Sequence, residues 1–91
     1  MLAFLRDGYL YVTGVENTAE GERRVNGVVD MLRTMYLIGE KQIEFGLSGG
    51  LRAKKRTYEL LAFIGHRHPS DGDQNMILEN TKKTLGIEDT A

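Results

Sequence analysis

Residues 45–56, FGLSGGLRAKKR, hold three glycines, one serine and four cations within twelve positions. That is the composition a phosphate grip needs. Gly49 and Gly50 would let backbone amides converge on an anion, Ser48 would add a hydroxyl donor, and Arg52, Lys54, Lys55 and Arg56 would neutralise its charge. The same residues also suit a plain hairpin loop whose charges keep a sheet edge soluble. Further along, GHRHPSDGD places His66 and His68 two residues apart. On an extended backbone both imidazoles would point to one side, as metal ligands or a histidine-pair phosphoesterase require, and Arg67 between them would add charge for a phosphate. Surface histidines in a polar turn are the plainer reading.

Several short patterns invite comparison with known families. Leu47 to Gly50, LSGG, resembles the core of the signature motif of ABC-type ATPases, and Gly46 to Gly49 resembles the GxxG backbone clamp of KH domains. Each likeness covers four residues. The chain has no GxxxxGK[ST] phosphate loop, and a strand rather than a helix is expected before the GxxG, so neither family is carried over. The spacing of His66 and His68 resembles the His-x-His of single-strand nicking endonucleases, but Arg67 stands where those have a hydrophobic residue and Pro69 ends the strand at once. Asp71, Asp73 and Asn75 open like a calcium loop, yet Met76 and Lys82 occupy the positions of its glycine and closing glutamate; a helix cap explains them better. No cysteine is present, and neither Ser48 nor Ser70 lies in a nucleophile-elbow context. The expectation is a protein without catalytic residues, metal or cofactor.

Charge narrows the classes further. The 91 residues sum to a net charge of −1, but the sum hides a division along the chain. Residues 1–47 carry five Lys/Arg against seven Asp/Glu; residues 48–68 carry five against Glu59 alone; residues 69–91 carry two against five. One local basic region in a nearly neutral chain does not fit a general nucleic-acid coat, which spreads its cations along a groove. A hydrophobic fraction of 41 %, a charged fraction of 27 % and a single proline fit one folded unit over residues 1–91. At this length only about 60 to 65 % of the unfolded chain's surface is buried, so pairing with a copy of itself would help, and a homo-oligomer is expected. The absence of cysteine suits a cytoplasmic protein, and no apolar run is long enough to span a bilayer. MLAFLRDG also lacks the basic start and unbroken apolar run of a signal peptide.

The elements that must position these residues are legible in outline. LAFLR and YLYVTGV are strand-like segments joined by Asp7-Gly8, a dipeptide suited to a two-residue type I′ turn. Asn17 or Thr18 caps a helix whose stripe of Val25, Val28, Val29, Leu32, Met35 and Tyr36 is expected to run to about Ile38 and stop at Gly39. Gly21 and Gly27 within it each cost about 1 kcal/mol relative to alanine. KQIEFGL alternates as a half-buried strand with Ile43, Phe45 and Leu47 on one face. Residues 51–64 fit both periods; a weak internal likeness between residues 1–39 and 40–88 favours strand, with helix as the alternative. A last helix starts after Pro69 with Ser70, Asp71 or Asp73 as cap, buries Ile77, Leu78 and Leu85, and ends at Gly86 with Ile87 in a Schellman contact.

The expected architecture is therefore α+β, ββαββα, a four-stranded antiparallel sheet with two helices on one face. Tyr9, Tyr11, Thr13 and Val15 would line the other face, as an oligomer interface or as a platform on which bases stack. The function expected is a small non-enzymatic binding or regulatory protein that meets a phosphate-bearing ligand, a nucleotide or nucleic acid, through its 48–68 region. Such a protein would suit a phage, plasmid or accessory role, occupying another molecule's site. The alternative is a structural or protein-interaction adaptor with no phosphate ligand, and a third reading is a metal-dependent phosphoesterase built on His66 and His68.

Overall fold

A computed structural model describes residues 1–49 and 56–87. The elements in chain order are strands β1 (Leu2–Arg6) and β2 (Tyr9–Glu16), helix α1 (Ala19–Thr34), a 3-10 turn at Glu40–Gln42, strands β3 (Ile43–Ser48) and β4 (Thr57–Phe63), and helix α2 (Asp71–Leu85). One four-stranded sheet has the order β1-β2-β4-β3, and every neighbouring pair is antiparallel. The chain is thus α+β with the order ββαββα, and the segment that fits two periods is a strand from Thr57.

Local chemistry accounts for the joints. Asp7 and Gly8 both have positive φ, 51° and 81°, the pairing a type I′ turn requires, and the turn sets Arg6 opposite Tyr9. The Gly8 carbonyl then accepts from the backbone N–H groups of Ile64 and Gly65, which pins this turn to the end of β4. A Cβ on Gly65 would lie 2.9 Å from the Gly8 Cα, so this contact needs glycine. Thr18 caps α1 by accepting from the Gly21 N–H at 3.0 Å, and Ser70 caps α2 by accepting from Asp73. Gly86, at φ 75°, closes α2 while the Ile87 N–H returns to the Lys82 carbonyl.

Helix α1 ends at Thr34, four residues short of the expected Ile38. The apolar stripe does continue, but the chain reverses at Leu37, whose φ is 57°, and the Ile38 N–H bonds back to the Leu32 carbonyl. Leucine therefore stands where a helix terminus usually places glycine, and Ile38 folds under into the core. Gly21 is explained by contact rather than propensity: its added Cβ would sit 1.8 Å from the Glu16 carbonyl oxygen, so only glycine lets α1 start this close to β2.

The core lies between the sheet and both helices. Ala3, Leu10, Val12, Val15, Leu60 and Ala62 face Val25, Val28 and Leu32 of α1 and Ile77 and Leu85 of α2. Each fully buried leucine, isoleucine or valine is worth about 1.5 to 3 kcal/mol. Val15 belongs to this face and not, as alternation suggests, to the opposite one. The pairing of β2 with β4 shifts register between Val12 and Val15, where Gly14 takes φ 72°, so the bulge turns both valines inward. Helix α1 packs over β2 and β4, and α2 over β1, which leaves β3 as an edge. On it Ile43 still reaches the core, but Phe45 and Leu47 remain 47 % and 44 % exposed, so β3 is less covered than the expected half-buried strand.

Candidate functional site

The sheet face turned away from the helices is open, and the pairing registers fix what it carries. Arg6, Tyr9 and Phe63 form one row across β1, β2 and β4; Phe4, Tyr11, Leu61 and Glu44 form the next across all four strands. Phe4 and Tyr11 stack with centroids 5.0 Å apart and planes 2° from parallel; Tyr9 and Phe63 stack at 4.8 Å and 28°. A tilted contact at 6.4 Å between Tyr9 and Tyr11 joins the two pairs. The rings shield one another and are half-buried, while Leu2 at the margin is 57 % exposed. Such a layer presents flat π-surfaces whose neighbours already hold them in place.

Charge is distributed unevenly over this face. At the aromatic end stand Arg6 and the exposed His66, whose ring lies 6.5 Å from Phe63, with exposed Arg67 next in the chain. Toward β3 lies a shallow groove lined by Thr13, Glu44, Gly46, Ser48 and Glu59. A Cβ on Gly46 would meet nothing within 4 Å, so the missing side chain forms part of the depression. Glu44 and Glu59 make the groove acidic, and Tyr11 lines it as well; at the other end Arg6 lies beside the exposed Asp7 and Asp71.

The residues singled out in the sequence fall at two ends of β4. Ser48 closes β3, opposite Thr57, and its hydroxyl lies 3.5 Å from the Thr57 carbonyl; Gly49 follows at φ 113°, and exposed Arg56 immediately precedes β4. Gly50, Arg52, Lys54 and Lys55 lie outside the described residues. His66, Arg67 and His68 follow the other end of the strand, about 20 Å away at the usual strand rise. The structure does not fold this second turn against the described flanks of the first.

The two histidines also part company. His66 leans on the open face, whereas the His68 Nε2 is 2.8 Å from the Tyr36 carbonyl and its ring packs edge-on to the Tyr36 ring. A carbonyl only accepts, so this nitrogen carries the proton. Gln74 donates to the His68 carbonyl and Asn80 to the Tyr36 hydroxyl, which makes His68 a joint between the end of α1 and α2. Among the described residues no three His, Cys, Asp or Glu side chains are grouped as metal ligands.

Tyr9, Tyr11 and Thr13 were recognisable as face-lining from alternation, as Leu61 and Phe63 are once residues 51–64 are read as strand; Phe4 and Arg6 were not singled out. Their signal lay in the Asp7-Gly8 turn, because a two-residue loop fixes Phe4 opposite Tyr11 and Arg6 opposite Tyr9. No family model, curated protein or solved structure matches this chain. No described helix is long and apolar enough to cross a membrane.

Proposed function

We propose that this chain is a non-enzymatic binding protein for a single-stranded nucleic acid or nucleotide, which it holds by stacking bases on its open sheet face. The observation that carries the reading is the pair of stacked aromatic couples, Phe4 with Tyr11 and Tyr9 with Phe63, on a face that neither described helix covers. Every base has a π-face, so such a layer binds with little sequence preference, and nearby cations supply the phosphate contacts. Arg6, His66 and Arg67 serve that purpose at one end of β4. Ser48, Gly49, Gly50, Arg52, Lys54, Lys55 and Arg56 form a second cationic group near its other end in sequence, and phosphates cross between the two. The partnership of His66 and His68 in a metal site is not carried forward, because His68 is committed to Tyr36.

Fluorescence anisotropy with a labelled oligothymidylate at low salt tests the proposal. Tyr11→Ala is expected to weaken binding roughly five-fold to a hundred-fold, since one base-aromatic stack is worth about 1 to 3 kcal/mol. Replacing Lys54, Lys55 and Arg56 together by alanine should also weaken it while the circular dichroism spectrum stays unchanged. A wild-type protein that binds neither the oligonucleotide nor free nucleotides would overturn the reading and favour the adaptor alternative, for which the exposed Phe45 and Leu47 speak.

A further inference from the structure

We infer that β3 pairs antiparallel with β3 of a second copy of this chain, with the two-fold axis at Gly46, so that two sheets join into one of eight strands. The inference does not depend on the ligand. Among the described residues strand β3 is an edge, and its outer backbone N–H and C=O groups face no neighbouring strand. Edge strands that remain monomeric are blunted by charge, short length, proline, bulges or cover. Within Ile43–Ser48 the one charge is Glu44, there is no proline or lysine, and the pairing with β4 runs over all six residues without a register shift. Helix cover is also missing at the centre, since Glu44, Phe45, Gly46 and Leu47 are all exposed.

The register follows from charge and side-chain size. A two-fold perpendicular to the sheet keeps the helix sides together, so the strand pairs with itself about one central residue. Centring on Glu44 would set two carboxylates directly opposite, and centring on Phe45 would leave them on a diagonal about 7 to 8 Å apart. Centring on Gly46 separates them. Each Glu44 then lies opposite a Ser48, whose hydroxyl would leave its long 3.5 Å contact with the Thr57 carbonyl to donate to the carboxylate, and each Phe45 lies opposite a Leu47. Four large apolar side chains now exposed would close over the seam on the helix side. On the open side the two glycines meet where nothing obstructs them.

The chain has no cysteine, so a single introduced thiol reports the axis directly. Opposed residues of antiparallel strands have Cα atoms about 4.5 to 5.5 Å apart, within disulfide range. Gly46→Cys is expected to give a covalent dimer under mild oxidation, whereas Glu59→Cys, exposed on neighbouring β4, should not. Light scattering of the wild type should give twice the chain mass, and Phe45→Lys should give a folded monomer by circular dichroism. A monomeric wild type across the micromolar range would overturn the inference. So would a dimer that Phe45→Lys leaves intact, or cross-linking no greater at residue 46 than at residue 59.

Discussion

At the scale of single residues, two positions run against propensity and the structure gives the reason for each. Gly21 looks like a weakness in α1 until the Glu16 carbonyl is seen where its Cβ would be. Leu37 looks like a late member of an apolar stripe, yet it holds φ 57° and is 60 % exposed, so it is strained and returns little burial. An L-residue in the left-handed region loses about 1 to 2 kcal/mol, of which glycine's extra freedom in the unfolded chain cancels roughly half. Leu37→Gly should therefore raise the unfolding free energy by about 0.5 to 1 kcal/mol, read as a higher urea midpoint at unchanged slope. An unchanged or lower midpoint would mean that the leucine side chain contributes packing its exposure does not suggest. Neither position was legible in the sequence, because each is decided by an atom distant along the chain or by a backbone angle that residue type does not reveal.

At the scale of elements, hairpins and caps were legible because their causes are local. Asp7-Gly8 fixes a turn, Thr18 and Ser70 satisfy amides three residues away, and Gly86 ends α2. The end of α1 and the face of Val15 were not, since a back-bond to Leu32 and a bulge at Gly14 override the periodic pattern. The start of α1 also sets a pH dependence. Arg24 bonds Glu20 and, aided by the charge of Arg23 and against desolvation, holds its carboxyl below the usual 4.5. The folded form thus releases that proton more readily, so its contribution is present above pH 4.5 and is lost as pH falls through the lowered value. Tyr58 moves the other way, raised above 10.0 by desolvation and by Glu22, so its contribution is lost as pH rises past 10. Arg24 has a second bond, 2.8 Å to the Leu85 carbonyl at the end of α2, whose acceptor is a backbone oxygen and not a carboxylate. Arg24→Ala should then lower stability by roughly 1 to 2 kcal/mol at neutral pH. The deficit should shrink but persist as pH falls through the lowered Glu20 value in urea titrations, and its complete disappearance in acid would mean that the tie to α2 carries no energy.

For the whole molecule, the open face is polarised. Arg6 and His66 stand at its aromatic end with exposed Arg67 next in the chain, and Glu44 and Glu59 border the groove toward β3. Tyr11 shares the groove with these two carboxylates, which lie between the cations that flank β4 in sequence, so they oppose a strand that crosses the rings from one end of β4 to the other. Stacking and charge separate by salt. Each phosphate contact to a single strand adds about 0.7 to the slope of log affinity against log salt, whereas stacking adds none. Replacing Arg6 and Arg67 together by alanine should flatten that slope by about 1.4. Tyr11→Ala should weaken binding with the slope unchanged. Replacing Glu44 and Glu59 together by glutamine should strengthen binding, most at low salt, because repulsion across a face this small acts within the roughly 10 Å screening length of about 0.1 M salt. The same three anisotropy series distinguish a face that stacks bases from one that merely attracts anions. In the second case Tyr11→Ala would leave affinity intact, and the arginine variant alone would abolish it.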